Sequence, residues 1–319
     1  IWAEMLEDRK FYYAVDDKES PWKSVGPAVE MVKESAFVGE HTPRIPTNGS
    51  IVQSGLGLVK GKRYGGHIIL SGSGVVTVSL IWGDSPRGRD SVKIGIKSSS
   101  GKSDKSCQSY PLRFRADAST DNARIEIRAG DGAVLLGTLS LMPADNVHGM
   151  RKDTLALLKE LDSPVYRWPG GNFVSGYDWR DGIGDRDKRP PRKNPAWLGV
   201  EHNDFGVHEF MQFCEEIRTE PYIAVNSGLG GVENARDEVA YVNGDEDTPM
   251  GTLRAANGRA KPWHCAYWSI GNEMYGDWQL GHLPLEDYVK KHNVFADAMR
   301  ATAPAIRLVA VGATGRWSE

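Results

Sequence analysis

The change of texture near residue 145 constrains this chain more than any other feature. Residues 50–142 run as short β segments separated by Gly, Ser and Asp turns, with clear cases at 66–70, 75–82, 92–96, 112–116 and 123–127. Several alternate apolar and polar residues, the mark of a sheet with one face buried. Regular short strands with almost no helical period predict a β-sandwich of jelly-roll type over 21–143. From Pro143 the pattern alternates strand and helix. Residues 151–161 set Leu155, Leu158 and Leu161 at helical spacing, and 164–168 follow as a strand. Residues 205–217 place Phe210, Phe213, Cys214 and Ile217 on one face, with Asp204 as N-cap. Strand 221–226, helix 233–242, strand 266–273, helix 285–299 and strand 306–312 complete the series. The long helix is expected to turn Tyr288, Val289, His292, Phe295 and Met299 inward. Repeated βα units with apolar strands imply a parallel sheet covered by helices. A closed (β/α)8 barrel needs eight strands, so 144–319 is expected to form a portion of a TIM barrel. The fold class is therefore α/β plus all-β.

Composition narrows the function. The 319 residues suffice for a substantial core, and a net charge of -3 gives no reason to expect nucleic acid or an anionic membrane as a partner. No stretch approaches the roughly 20 apolar residues of a membrane span. Cys107, Cys214 and Cys265 are too few and too scattered for a disulfide framework or a CxxC metal site, and Cys214 sits on an apolar helix stripe. The chain opens on Ile1 without an initiator Met or signal peptide and stops at Trp317-Ser318-Glu319, so both ends read as cut.

Three strand ends carry the chemistry. Residues 268–276 read Trp-Ser-Ile-Gly-Asn-Glu-Met-Tyr-Gly, an apolar strand that delivers Asn272 and Glu273 at its C-terminal end, where barrel enzymes place catalytic groups. A carboxylate delivered this way is costly to bury unless it reacts or finds a partner. Arg167 leaves another strand before Trp168-Pro169-Gly170-Gly171 presents Asn172, and Asn226 ends a third. Asn and Glu at several strand ends, with Trp168, Tyr177, Trp179, Trp197, Tyr275 and Trp278 nearby, suit a carbohydrate pocket. Sugars need paired hydrogen bonds to hydroxyls and flat apolar faces for their C–H surfaces.

At these motifs the chain resembles glycoside hydrolase family 51, the α-L-arabinofuranosidases. The resemblance rests on residues 167–179 (Arg-Trp-Pro-Gly-Gly-Asn-Phe-Val-Ser-Gly-Tyr-Asp-Trp), on 181–184, on Trp197, on 203–206 and on Gly271-Asn272-Glu273, and covers about 144–316. It implies a retaining double displacement on α-L-arabinofuranosyl side chains of plant hemicellulose, arabinan or their oligosaccharides. Glu273 would be the acid/base, Asn272 would hold a substrate hydroxyl, Arg167 and Asn172 would organise the pocket, and Trp197 would wall the sugar. No metal or organic cofactor is implied, because two carboxylates roughly 5–5.5 Å apart suffice. The family nucleophile, a Glu in an Asp-Glu-Trp-like context, has no counterpart in these residues, and the strand carrying another substrate-binding Glu is expected upstream of Ile1. Residues 1–20 would lead from that missing first strand. A homo-oligomer stays open, and plant-polymer chemistry points towards a secreted or periplasmic protein. An endo-β-glucanase on the same scaffold and a non-catalytic carbohydrate-binding fragment stand as alternatives.

Plainer readings accompany each residue. Glu273 and Arg167 fit ordinary ion pairing, Asn172 fits a Gly-Gly-Asn turn, Trp197 fits packing, and Asn226 leans structural. The histidines lack metal-ligand spacing, and Gly55-Leu56-Gly57 and residues 228–231 are turns rather than phosphate loops. The charge run 185–192 reads as a solvated loop bordering the site, and Asn48-Gly49-Ser50 fits a glycosylation acceptor. On the sandwich, Trp82 or Tyr110 would stack on sugar rings if that layer binds glycan.

Overall fold

The alternating segments become strands because each apolar set has a second sheet to bury against. The computed structural model describes residues 1–34, 36–85, 87–96, 107–315 and 317. Ser318 and Glu319, the residues expected to end the chain without a following strand, lie outside the described residues. The chain divides into two compact units, Ile1–Thr154 and Leu155–Glu319.

The first unit holds ten strands among the described residues: β1 (Lys23–Val25), β2 (Glu30–Val32), β3 (Thr42–Ile45), β4 (Ser50–Leu58), β5 (Arg63–Gly72), β6 (Gly74–Ile81), β7 (Arg89–Ile96), β8 (Gln108–Arg115), β9 (Thr120–Ala129) and β10 (Val134–Pro143). They form two five-stranded antiparallel sheets, ordered β1-β4-β9-β6-β7 and β2-β3-β10-β5-β8. One buried cluster draws Ile51, Val78 and Ile127 from the first sheet and Ile68, Leu112 and Leu139 from the second. Each fully buried aliphatic contributes roughly 1.5–3 kcal/mol. Trp82 and Tyr110 are half-buried and pack against this cluster.

β10 departs from alternation because both its faces are covered. The N-terminal segment lies along it: Glu4 accepts from Ser140 Oγ at 2.6 Å and from the Leu141 amide at 2.9 Å, and Thr138 Oγ1 donates to the Arg9 carbonyl at 2.8 Å. Burial raises the Glu4 carboxyl above its ordinary range, partly offset by the Arg9 charge. Burial likewise pushes Asp8 up to about 6, although Tyr12 and Tyr13 amides donate to it.

The second unit, entered through α1 (Lys152–Leu161), contains β11 (Val165–Trp168), β12 (Arg192–Lys193), β13 (Val200–Glu201), α2 (Val207–Ile217), β14 (Glu220–Val225), α3 (Val232–Asn243), α4 (Pro249–Ala256), β15 (Tyr267–Ile270), α5 (Leu285–Thr302) and β16 (Arg307–Val309). The sheet β11-β14-β15-β16 is parallel throughout, with Arg167, Tyr222, Tyr267 and Arg307 in one register row. Sheet order follows chain order, and a helix fills each crossover, as parallel pairing requires.

Local departures have clear causes. Asp204 does not cap α2: Gly206 is the N-cap, and its amide donates to Glu209 Oε2 at 2.9 Å, so the carboxylate inside the first turn replaces the expected cap. In α5, Val289 is 45% exposed and Ala296 is buried in its stead, while His292 is half-buried. Leu161 is exposed at the end of α1. β15 and β16 are shorter than expected, β15 because Gly271 turns the chain at φ 83°. α4 was not foreseen, although Thr248-Pro249 carries its signal: Thr248 Oγ1 accepts from the Gly251 amide and Pro249 opens the helix.

Glu238 on α3 is 2% exposed, and burial, with Asp178 beside it, pushes its carboxyl well above the ordinary value despite Arg180. A raised folded-state pKa means the unfolded chain ionises first, so stability from this group falls as pH rises above the usual carboxylate range. Glu238→Gln is therefore expected to gain stability over wild type at pH 8 and to gain least at pH 5, as read from urea midpoints.

Candidate active site

The carboxyl end of β11 places two polar groups by different means. Arg167 is its penultimate residue, and a cis peptide bond joins Trp168 to Pro169. Gly171 sits at φ 63°, and a Cβ there would come within 3.0 Å of Trp197 Cζ2, so glycine lets the Trp197 ring lie close over the turn. The Asn172 carboxamide bonds the loop beyond β15 through both its terminal atoms: Nδ2 donates to the Trp278 carbonyl at 3.0 Å and Oδ1 accepts from the Leu280 amide at 3.0 Å. Asn172 thus ties the turn after β11 to the loop beyond β15.

At the end of β15 the backbone turns sharply. A Cβ on Gly271 would meet Ser227 Oγ at 2.2 Å, so the position admits glycine alone on both conformation and space. Asn272 is buried, and its Oδ1 accepts from Arg167 Nη2 at 2.9 Å. Its Nδ2 donates to Gln279 Oε1 at 3.3 Å, and Gln279 Nε2 donates to Ser175 Oγ. Glu273 follows in an exposed position at φ 42°, a conformation uncommon for a residue with a side chain. The Tyr275 hydroxyl donates to its Oε1 at 3.5 Å, and the Gly276 amide closes a turn on its carbonyl at 2.8 Å. The fold therefore brings Arg167, Asn272 and Glu273 together, and ties Asn172 to them through residues 278–280.

The aromatics separate into two groups. Tyr177 and Trp179 are buried, and half-buried Trp168 stacks on Phe210 at 5.5 Å, so these three are packing residues. Trp197 and Trp278 are 65% and 62% exposed and offer flat apolar faces, the latter against Tyr275 in a T-shaped contact at 6.0 Å. Trp197 rides the loop between β12 and β13, which Asn194 fixes by accepting from the Ala196 and Trp197 amides at 3.0 Å each. Asn226 joins Tyr177 O and the Gly230 amide, an architectural use.

The charge run is not uniformly solvated. Arg189 is buried and donates to Glu209 at 2.9 and 3.0 Å and to carbonyls of Gly184 and Asn203. Burial pushes the Glu209 carboxyl up, but the hydrogen bonds and charge of Arg189 outweigh it and leave it below the ordinary value. This pair anchors the segment that carries Trp197. Gln279, Ser175, Asn194 and Glu209 were not foreseen. A polar residue in a loop gives no sequence sign that it is buried, and only Glu209, at N3 of its helix, had a capping-box position to point to it.

Chemically, the assembly is an exposed carboxylate beside a fixed carboxamide and a guanidinium, flanked by flat apolar rings. It can exchange a proton with a polyhydroxylated ligand while binding its hydroxyls. Among the described residues no helix is long and apolar enough to cross a membrane.

Removing one partner of a buried ion pair costs about 3–5 kcal/mol, because the other charge stays buried. Glu209→Ala should lower the unfolding free energy by about that amount in urea titration.

A family model described as "Alpha-L-arabinofuranosidase 1 domain" matches residues 157–318. Alpha-L-arabinofuranosidase C of Emericella nidulans is 45% identical over 176 residues, 55% of this chain and 35% of that protein. The chain thus spans about a third of the length of the curated relatives it matches. The arabinose complex of an α-L-arabinofuranosidase from Thermotoga maritima superposes with a TM-score of 0.51 at 44% identity, over 51% of this chain and 34% of that one. An arabinose-bound GH51 α-L-arabinofuranosidase aligns over 97% of this chain and 56% of that one, with a TM-score of 0.79 at 21% identity, a likeness of fold alone.

Proposed function

The chain belongs to the α-L-arabinofuranosidases of glycoside hydrolase family 51, whose domain residues 157–318 match, and on that premise we propose that it supplies the acid/base part of a retaining α-L-arabinofuranosidase. The observation that carries this reading is the end of β15, where Asn272 is held by Arg167 while the adjoining Glu273 stays exposed. In the first step Glu273 protonates the departing glycosidic oxygen as a nucleophilic carboxylate attacks the anomeric carbon. In the second, Glu273 takes a proton from the water that releases arabinose. Asn272 receives a sugar hydroxyl, and Trp197 contributes an apolar wall. No Asp-Glu-Trp-like context occurs among the 319 residues, so this reading assigns the nucleophile, and the further β-strands of a (β/α)8 barrel, to no residue of this sequence. In this reading 144–319 is the barrel portion, 1–20 its lead-in from the first strand, and 21–143 a jelly-roll layer. The packing of Trp82 and Tyr110 favours an accessory role for that layer over independent glycan binding. The substrate class is terminal α-L-arabinofuranosyl residues on hemicellulose, arabinan or their oligosaccharides.

Nitrophenol release by the full gene product tests the reading, with 4-nitrophenyl α-L-arabinofuranoside as substrate and the β-glucoside as control. Arabinofuranoside turnover is expected. Turnover of the glucoside alone would favour an endo-β-glucanase, and binding of arabino-oligosaccharides without turnover would favour a non-catalytic module. Loss of a general acid typically costs about 10²–10⁴ in rate. Glu273→Ala should lose about that much on an arabinofuranoside with a poor leaving group and far less on a dinitrophenyl one. Near wild-type turnover of the poor substrate would remove Glu273 from the role.

A further inference from the structure

We propose that Gln279 is a positioning residue, one that holds the Asn272 carboxamide in the orientation Arg167 imposes and so fixes which of its hydrogens reaches the sugar. The proposal rests on the arabinofuranosidase reading of the site. A terminal carboxamide has two nearly equivalent orientations related by a flip, one presenting oxygen where the other presents nitrogen. Four residues of the second unit remove that ambiguity. Arg167 can only donate, so its Nη2 contact at 2.9 Å requires Asn272 Oδ1 on that side. Asn272 Nδ2 then faces Gln279 Oε1 at 3.3 Å, and Gln279 Nε2 donates onward to Ser175 Oγ. The relay has one sense, from a donor-only guanidinium to a hydroxyl that can accept.

Arg167 is exposed, whereas Asn272, Gln279 and Ser175 are buried. The buried end of the relay therefore holds its geometry most firmly. Ser175 is itself fixed by the Leu229 amide, which donates to its carbonyl at 3.0 Å. An Asn amide carries two N–H groups, and Gln279 takes one. The remaining N–H is the group left to address a substrate hydroxyl, and its direction is set by the bond to Gln279. Gln279 touches no substrate in this scheme and acts only through Asn272.

A double-mutant cycle on the full gene product tests this, using 4-nitrophenyl α-L-arabinofuranoside. Gln279→Leu should lower kcat/KM by about tenfold, the loss expected for one buried hydrogen bond. In an Asn272→Ala background the same change should have no further effect, because nothing remains to orient. An equal loss in both backgrounds would overturn the proposal, since a structural role would be additive. Ser175→Ala removes only a hydroxyl and should show a smaller loss that also vanishes with Asn272→Ala. If the wild-type protein hydrolyses no arabinofuranoside, the functional reading fails separately. The positioning is then judged by hydrogen exchange of the Asn272 side-chain amide: about tenfold acceleration in Gln279→Leu supports it, and unchanged exchange overturns it.

Discussion

The bond from Arg167 to Asn272 is the interaction on which the site depends, because it joins the ends of two strands that are not neighbours in the sheet. β14 lies between β11 and β15, so only a long side chain can reach from one strand end to the other. Parallel register sets Arg167 level with Tyr222 and Tyr267, and Asn272 lies beyond the end of β15. Arginine suits this position because it stays charged at any relevant pH and donates from a planar fork. The next residue, Glu273, combines a positive φ with an exposed side chain.

The same economy governs the surrounding loops. Each is held by polar side chains that satisfy otherwise unpaired backbone groups. Asn172 secures residues 278–280, Asn194 the turn that raises Trp197, and Arg189 with Glu209 the segment leading to it. Arg254 does likewise for the end of α3, donating to four carbonyls, those of Tyr241, Gly244, Arg259 and Ala260. The exposed rings of Trp197 and Trp278 therefore stand on loops that these bonds hold in place.

Much of this was legible in the sequence, and what was not has a common cause. Period-two and period-3.6 patterns report which faces are apolar, so the strands of the first unit and the βα series of the second were readable. Arg167, Asn272 and Glu273 were readable because strand ends are places where side chains must meet solvent or each other. Patterns do not report partners. The charge run 185–192 looked solvated because nothing in Arg189 itself announces Glu209, and the loop that Asn172 bonds lies a hundred residues away in sequence. Trp168, Tyr177 and Trp179 looked like sugar platforms for the same reason: an aromatic near a motif is as easily its foundation as its surface. Val289 and Ala296 exchanged places on α5 because helical spacing alone does not fix which edge of an apolar stripe meets the sheet.

The most direct test of Glu273 as the acid/base is azide rescue of Glu273→Ala in the full gene product, using a dinitrophenyl α-L-arabinofuranoside. Removing the acid/base leaves the glycosyl-enzyme to be formed by the good leaving group and then captured by azide on the vacated side. Faster turnover with azide and an arabinofuranosyl azide of retained anomeric configuration are expected. An azide product of inverted configuration would make Glu273 the nucleophile, and no acceleration would leave it outside the reaction altogether.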